Sequence, residues 1–165
     1  QAGWEAAYAG RPPISPVMGV GIIRAEDRMP DGRYNILVEG ILRARILEEL
    51  PTDEPYRLVR AEPIPDEIPN ESAAGLLEQV QIVRQLAVDL AAALPDQAGP
   101  SFAKACIRER EPGRLADLAG AAVLIDIRER QEFLEEADVA RRLRIAADGL
   151  AQTLLHVIGS GGVPS

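Results

Sequence analysis

From Val17 to Ala25 the chain is apolar, three runs between Arg33 and Glu62 alternate between apolar and polar residues, and from Leu76 onward the apolar ones recur every three or four positions. The first period is that of a half-buried strand and the second that of an amphipathic helix. At least four strands are predicted in series. Val17 to Ala25 is apolar and punctuated by Gly19 and Gly21, which suits a bent strand where backbones approach closely. Pro30-Asp31-Gly32 supplies turn chemistry. Arg33 to Glu39 then alternates, Gly40 interrupts, and Ile41 to Leu47 alternates again, so two consecutive antiparallel strands are the economical reading. Beyond the acidic loop bracketed by Pro51 and Pro55, Tyr56 to Glu62 forms the last of the four.

Pro63-Ile64-Pro65-Asp66-Glu67-Ile68-Pro69 cannot hold a helix and reads as an extended connector. After it, Asn70 or Ser72 is placed to cap a helix whose apolar stripe runs Leu76, Val80, Val83, Ala87, Leu90 and Leu94. Pro95-Asp96 ends that helix, and Gly99-Pro100-Ser101 restarts the chain. Further helices are expected from Phe102 to about Arg110, Leu115 to Val123, Arg128 to Glu136 and Val139 to Ile158. The last carries its own stripe, Val139, Leu143, Ala147, Leu150, Leu154 and Val157. Strands followed by helices make an α+β pattern. The expected organisation is a β-rich subdomain over residues 1–69, a helical subdomain over 70–158 and a flexible Gly/Ser tail over 159–165.

Composition narrows the function classes. The chain carries a net charge of −8, split evenly between 8 Arg against 12 acids in residues 1–70 and 10 basic residues against 14 acids thereafter. With no segregated basic face, nucleic acid is not an expected partner. No apolar stretch approaches the roughly 20 residues that span a bilayer, so no membrane is expected either. A single cysteine, Cys106, makes no internal disulfide, and a reducing, cytoplasmic setting follows as the default. A start at Gln1 without methionine or an apolar leader reads as a sequence trimmed upstream.

Little in the chain promises catalysis. No glycine-rich loop carries the Lys and hydroxyl of a phosphate site, and Gly19-Val20-Gly21 lacks both the third glycine and the helix of a dinucleotide fingerprint. Cys106 and His156 lie 50 residues apart without partners at ligand spacing, so no metal and no cofactor are expected. His156 on the last helix could act as a general base, but it reads more simply as a residue meeting the helix dipole. Cys106 reads as a buried, inert thiol. Ser72, Ser101 and Ser160 belong to no recognisable triad, and no catalytic residue is assigned. Glu129, Glu132, Glu135, Glu136 and Asp138, interleaved with Arg128, Arg130, Arg141 and Arg142, read as a solvated face of paired charges. Trp4 and Tyr8, near the stiff turn Arg11-Pro12-Pro13, either anchor a peptide at the surface or close one end of the sheet.

A resemblance adds to this. The run Gly3-Trp4-Glu5, Tyr8, Gly10-Arg11-Pro12-Pro13, Pro16-Val17, Gly19, Gly21, Asp31-Gly32-Arg33-Tyr34-Asn35-Ile36-Leu37, Gly40, Arg43-Ala44-Arg45-Ile46, Glu49 and Pro55-Tyr56-Arg57 resembles the Lon protease substrate-binding domain. Its most specific part is Asp-Gly-Arg-Tyr-Asn-Ile followed by Gly and Arg-Ala-Arg-Ile. The helical half is similar in Arg114-Leu115-Ala116-Asp117, Arg130-Gln131, Leu134-Glu135 and Arg141-Arg142-Leu143, so the likeness covers most of residues 1–158. Members of that family open with a further proline-rich strand, a helix and more strands that close a PUA-like β-barrel. That opening is not in this sequence, and the antiparallel sheet of residues 14–63 is then expected to be an open part of such a barrel, followed by a C-terminal helical bundle. Full-length Lon proteases add an ATPase module and a Ser-Lys protease domain, whose motifs this chain does not carry.

The resemblance implies a small bacterial, non-catalytic module that recognises unfolded or exposed polypeptide segments and works with a protease or chaperone partner. Trp4, Tyr8, Tyr34 and Tyr56 are the contact residues it suggests, and the acidic surface is expected to favour basic or neutral segments. The alternative is a module that binds a small ligand or docks as an adaptor on one specific protein. A stoichiometric ligand surviving purification would favour that alternative.

Overall fold

The computed structural model describes residues 12–68, 73–94 and 98–160. Trp4, Tyr8, the capping candidates Asn70 and Ser72, the Pro95-Asp96 stop and most of the tail lie outside them. By contacts the chain divides into two compact units, Gln1–Pro65 and Asp66–Ser165.

The first unit is a three-stranded antiparallel sheet in the order β1 (Val17–Arg28), β2 (Tyr34–Leu50), β3 (Leu58–Ile64). The turn from β1 to β2 closes where Asp31 and Gly32 stand. Gly32 takes a left-handed φ of 86°, and the Met29 N–H donates to the Arg33 carbonyl at 2.8 Å. Asp31 braces it, accepting from the Arg33 Nε at 2.7 Å and the Arg33 backbone N–H at 3.1 Å. These bonds hold the Asp31 carboxyl below its ordinary range, the side-chain bond contributing most.

The expectation of at least four strands is corrected to three among the described residues. The runs Arg33–Glu39 and Ile41–Leu47 fall on one 17-residue strand, which begins at Tyr34 and ends at Leu50. Gly40 pairs with Gly21 while Leu42 pairs with Val20, which leaves Ile41 as an extra residue. The glycine therefore marks a bulge that bends the ladder, whereas a reversal needs at least a two-residue turn. Gly21 also meets its partner strand closely, as its spacing predicts: a Cβ there would lie 2.6 Å from a Val38 methyl and 2.8 Å from the Glu39 carbonyl oxygen. Further register shifts fall at Ile23/Ala25 in β1 and Ile46/Glu48 in β2.

The second unit holds α1 (Ala73–Ala93), α2 (Ala98–Arg108), α3 (Pro112–Val123), α4 (Ile127–Glu135) and α5 (Val139–Ser160). α5 lies against both α1 and α3, and α2 lies against α1. The two predicted stripes meet in one core: Val80, Val83, Ala87 and Leu90 of α1 with Val139, Leu143, Ala147 and Leu150 of α5. Leu76, Leu94, Leu154 and Val157 pack at its margins. Cys106, Leu115, Ala116, Ala119 and Phe133 fill the space between.

α2 begins four residues before the expected Phe102. Pro100 falls in its first turn, where a backbone N–H has no intrahelical acceptor and proline loses nothing. Pro112 likewise starts α3. Asp126 caps α4, its carboxylate accepting from the Arg128 and Glu129 N–H groups at 2.8 and 3.1 Å.

Candidate functional site

Residues paired across a ladder share a face, and residues two apart along a strand share one too. In the three-stranded part of the sheet one face therefore carries Val20 with Leu42, Met18 with Ala44 and Pro63, and Ile46 with Ala61. The other carries Arg45 with Glu62 and Glu48 with Arg60, the latter joined by an ion pair at 2.8 Å. Among the described residues of this unit only Val17 and Ala44 are fully buried. That apolar face is half-buried, with Leu42 and Pro63 exposed.

Toward the turn the β1–β2 hairpin continues beyond the reach of β3. There Ile23 with Val38, Ile36, and Tyr34 form a stripe on one face, and all four are exposed. Tyr34 opens β2 opposite Arg28, whose guanidinium carbon lies 6.0 Å from the centre of its ring. Tyr56 is also exposed, in the loop after β2. The two tyrosines stand at opposite ends of the long strand, so the described part of the sheet does not bring them together.

In the helical unit a charged interior was not foreseen. Arg142 reads in the sequence as part of a solvated face, and the structure corrects this: it is 0% exposed. Its Nη1 donates to Asp117 on α3 and its Nη2 to Asp66, each at 2.5 Å. Both carboxylates are partly exposed, at 42% and 39%. Beside this pair, the Glu67 N–H donates to the Ala137 carbonyl and the Val139 N–H to the Glu67 carbonyl, both at 2.9 Å. The residues that open the unit are thereby clasped to the start of α5. The sequence held one signal for this. Positions 139, 142, 143, 146, 147 and 150 are the full core-facing set of a helix, and Arg142 occupies one of them. Its neighbour Arg141 does lie outside, paired with Glu136 at 3.0 Å.

The groups weighed for chemistry sit as follows. Cys106 is buried, and that burial pushes its thiol up to about 11 against the opposing charge of Arg84. His156 is exposed on the last turns of α5. Among the described residues no three His, Cys, Asp or Glu side chains cluster so as to hold a metal ion, and no helix is long and apolar enough to cross a membrane.

Comparison with known proteins decides the family. The sequence profile of the ATP-dependent protease La (LON) substrate-binding domain matches residues 3–152. The chain belongs to this family. Its sheet and bundle are accordingly those of a Lon-type substrate-binding domain. The Lon protease of Dictyoglomus thermophilum is 33% identical over 125 residues, covering 76% of this chain and 15% of that protein. The Lon protease of Trichlorobacter lovleyi is 33% identical over 135 residues, covering 81% and 16%. The chain thus spans about a sixth of the length of these relatives. Among solved structures, the N-terminal domain of Mycobacterium avium complex Lon protease superposes with a TM-score of 0.66 at 22% identity, over 91% of this chain and 83% of that one. The α+β arrangement of a Lon N-terminal domain is therefore this chain's fold. Within it, two of the runs that carry the likeness, Arg114-Leu115-Ala116-Asp117 and Arg141-Arg142-Leu143, meet at the Asp117–Arg142 pair.

Proposed function

We propose that this chain is a non-catalytic recognition module that holds unfolded or exposed segments of other polypeptides in a cytoplasmic, ATP-dependent proteolytic system. The observation that carries this reading is the exposed apolar stripe of Ile23, Tyr34, Ile36 and Val38 on a strand pair. An extended segment can lie along such a surface, its apolar side chains meeting the stripe and its backbone adding to a sheet edge. Tyr34 contributes a large, stiff contact there, and Trp4, Tyr8 and Tyr56 are further contacts of the same kind. The Lon proteases it is similar to suggest the partner, an ATPase and peptidase that processes what the module holds, whether on the same polypeptide or another.

The test is calorimetric titration of the protein with a permanently unfolded polypeptide and with the same polypeptide folded. Micromolar binding of the unfolded form alone, on the order of −8 kcal/mol, is expected, with at least a tenfold loss on Ile36→Asp. Equal affinity for both forms, or none for either, overturns the reading.

A further inference from the structure

α1 and α2 form an antiparallel helical hairpin whose inner sides pack in the core and whose outer side is tied at both ends. At one end the backbones nearly touch: a Cβ on Gly99 would lie 3.0 Å from the Ala91 backbone. At the other, the Arg84 Nη2 donates to the Glu109 carbonyl at 2.7 Å. Between these ties, over the small side chains of Ala91, Ala92 and Ala103, lies a shallow, open surface groove of about 530 Å³. That volume lies within the range of ligand-binding clefts. Val88, Ala91, Ala103 and Ile107 give it an apolar lining, and Ile107 stands 55% exposed on its wall.

Its border carries positive charge. Lys104 and Arg108, one helical turn apart on α2, flank the apolar lining, and no acidic residue among the described residues contributes to it. In the same unit Arg84 and Arg130 are bonded to backbone carbonyls, and Arg114, Arg141 and Arg142 to carboxylates. The side chains of Lys104 and Arg108, like those of Arg110 and Arg128, make no hydrogen bond or ion pair among the described residues. Arg108 lies in the last turn of α2, where a cation suits the helix dipole. Lys104, a full turn earlier, has no such role. A protein with a net charge of −8 thus presents an apolar groove edged by two uncommitted cations. Within a groove, charges this close to a ligand outweigh the diffuse field of the whole molecule, which is screened over about 8 Å at physiological ionic strength.

We infer that the α1–α2 groove is a second polypeptide-binding site, selective for a segment in which one large apolar side chain is flanked by carboxylates. The apolar side chain fills the space beside Ile107, and the carboxylates pair with Lys104 and Arg108. This rests on the polypeptide-recognition reading above and adds to it a place and a preference opposite in sign to that of the acidic surface as a whole.

Lys104 is the chain's only lysine, so isotopic dimethylation gives a single side-chain NMR signal at the groove. The probes are dodecapeptides with a central Leu-Phe flanked by glutamates, glutamines or lysines, titrated into the intact protein. The glutamate peptide should shift the Lys104 signal and bind about tenfold more tightly than the glutamine one, a difference of about 1.4 kcal/mol. The lysine peptide should leave the signal in place. Ile107→Asp and Arg108→Glu, each checked for unchanged helix content, should remove that preference. Equal binding of the three peptides, or a preference that survives both substitutions, overturns the inference. Binding of the permanently unfolded polypeptide is measured on the same variants. If the wild type and both variants bind it equally and the peptides show no preference, the groove fails while the recognition reading stands. If the wild type binds no unfolded polypeptide, both fail.

Discussion

Replacing Arg142 by leucine removes a guanidinium to which carboxylates of two separate segments are bonded. Breaking a buried pair from one side costs about 3–5 kcal/mol. Because Asp66 and Asp117 each keep access to water, the expected loss lies at the lower end, about 3 kcal/mol, read from the urea midpoint at unchanged slope. Cys106 gives a second expectation at this scale. With its thiol held at about 11, the folded protein should not react with a thiol reagent at neutral pH, and labelling should appear only as the chain unfolds. An unfolded thiol ionises near 9.0, so as pH rises from there toward 11 the unfolded state releases its proton first and stability falls. Cysteine 106 could be read as a buried thiol from its apolar neighbours. Arg142 could not be told from Arg141 by residue type, because adjacent arginines on a helix differ only in phase, and the phase was plain only once its core-facing set was complete.

The helices were the legible elements. Stripes such as Val80-Val83-Ala87-Leu90 repeat over several turns, and a long repeat fixes both the type of an element and the face it buries. Their ends were less legible. Pro100 stops a helix from within but is harmless in its first turn, so the same residue is compatible with either boundary. Gly40 posed the same problem in the sheet. A glycine between two alternating runs marks a bulge or a turn, and only the pairing of Gly40 with Gly21 decides for the bulge. Asp126 is the local signal with the clearest energetic consequence. Asp126→Ala removes the acceptor for two N–H groups at the start of α4 and should cost about 1 kcal/mol of stability, measurable as a lower midpoint in chemical denaturation.

For the whole molecule, burial is uneven between the two units. The core that joins α1, α3 and α5 is built entirely from residues beyond Pro65. The sheet, in its described residues, buries two side chains fully. A fragment of residues 66–165 should therefore unfold cooperatively with heat, and a fragment of residues 1–65 should show no cooperative transition. Circular dichroism of the two tests this. The alternation in Arg33–Glu39, Ile41–Leu47 and Tyr56–Glu62 predicted strands, but alternation is the same whether an apolar face is covered or open. The extent of the open surface was for that reason not readable from the sequence. The clasp at the start of the helical unit also has a mechanical consequence. Asp66 and Glu67 are bonded to Arg142, Ala137 and Val139, all at or just before the beginning of α5, whereas the chain itself runs on into α1. Tension drawn along the backbone from residue 65 is taken up by that lateral anchorage and passed to α5, so α1 is shielded from being unwound from its own end.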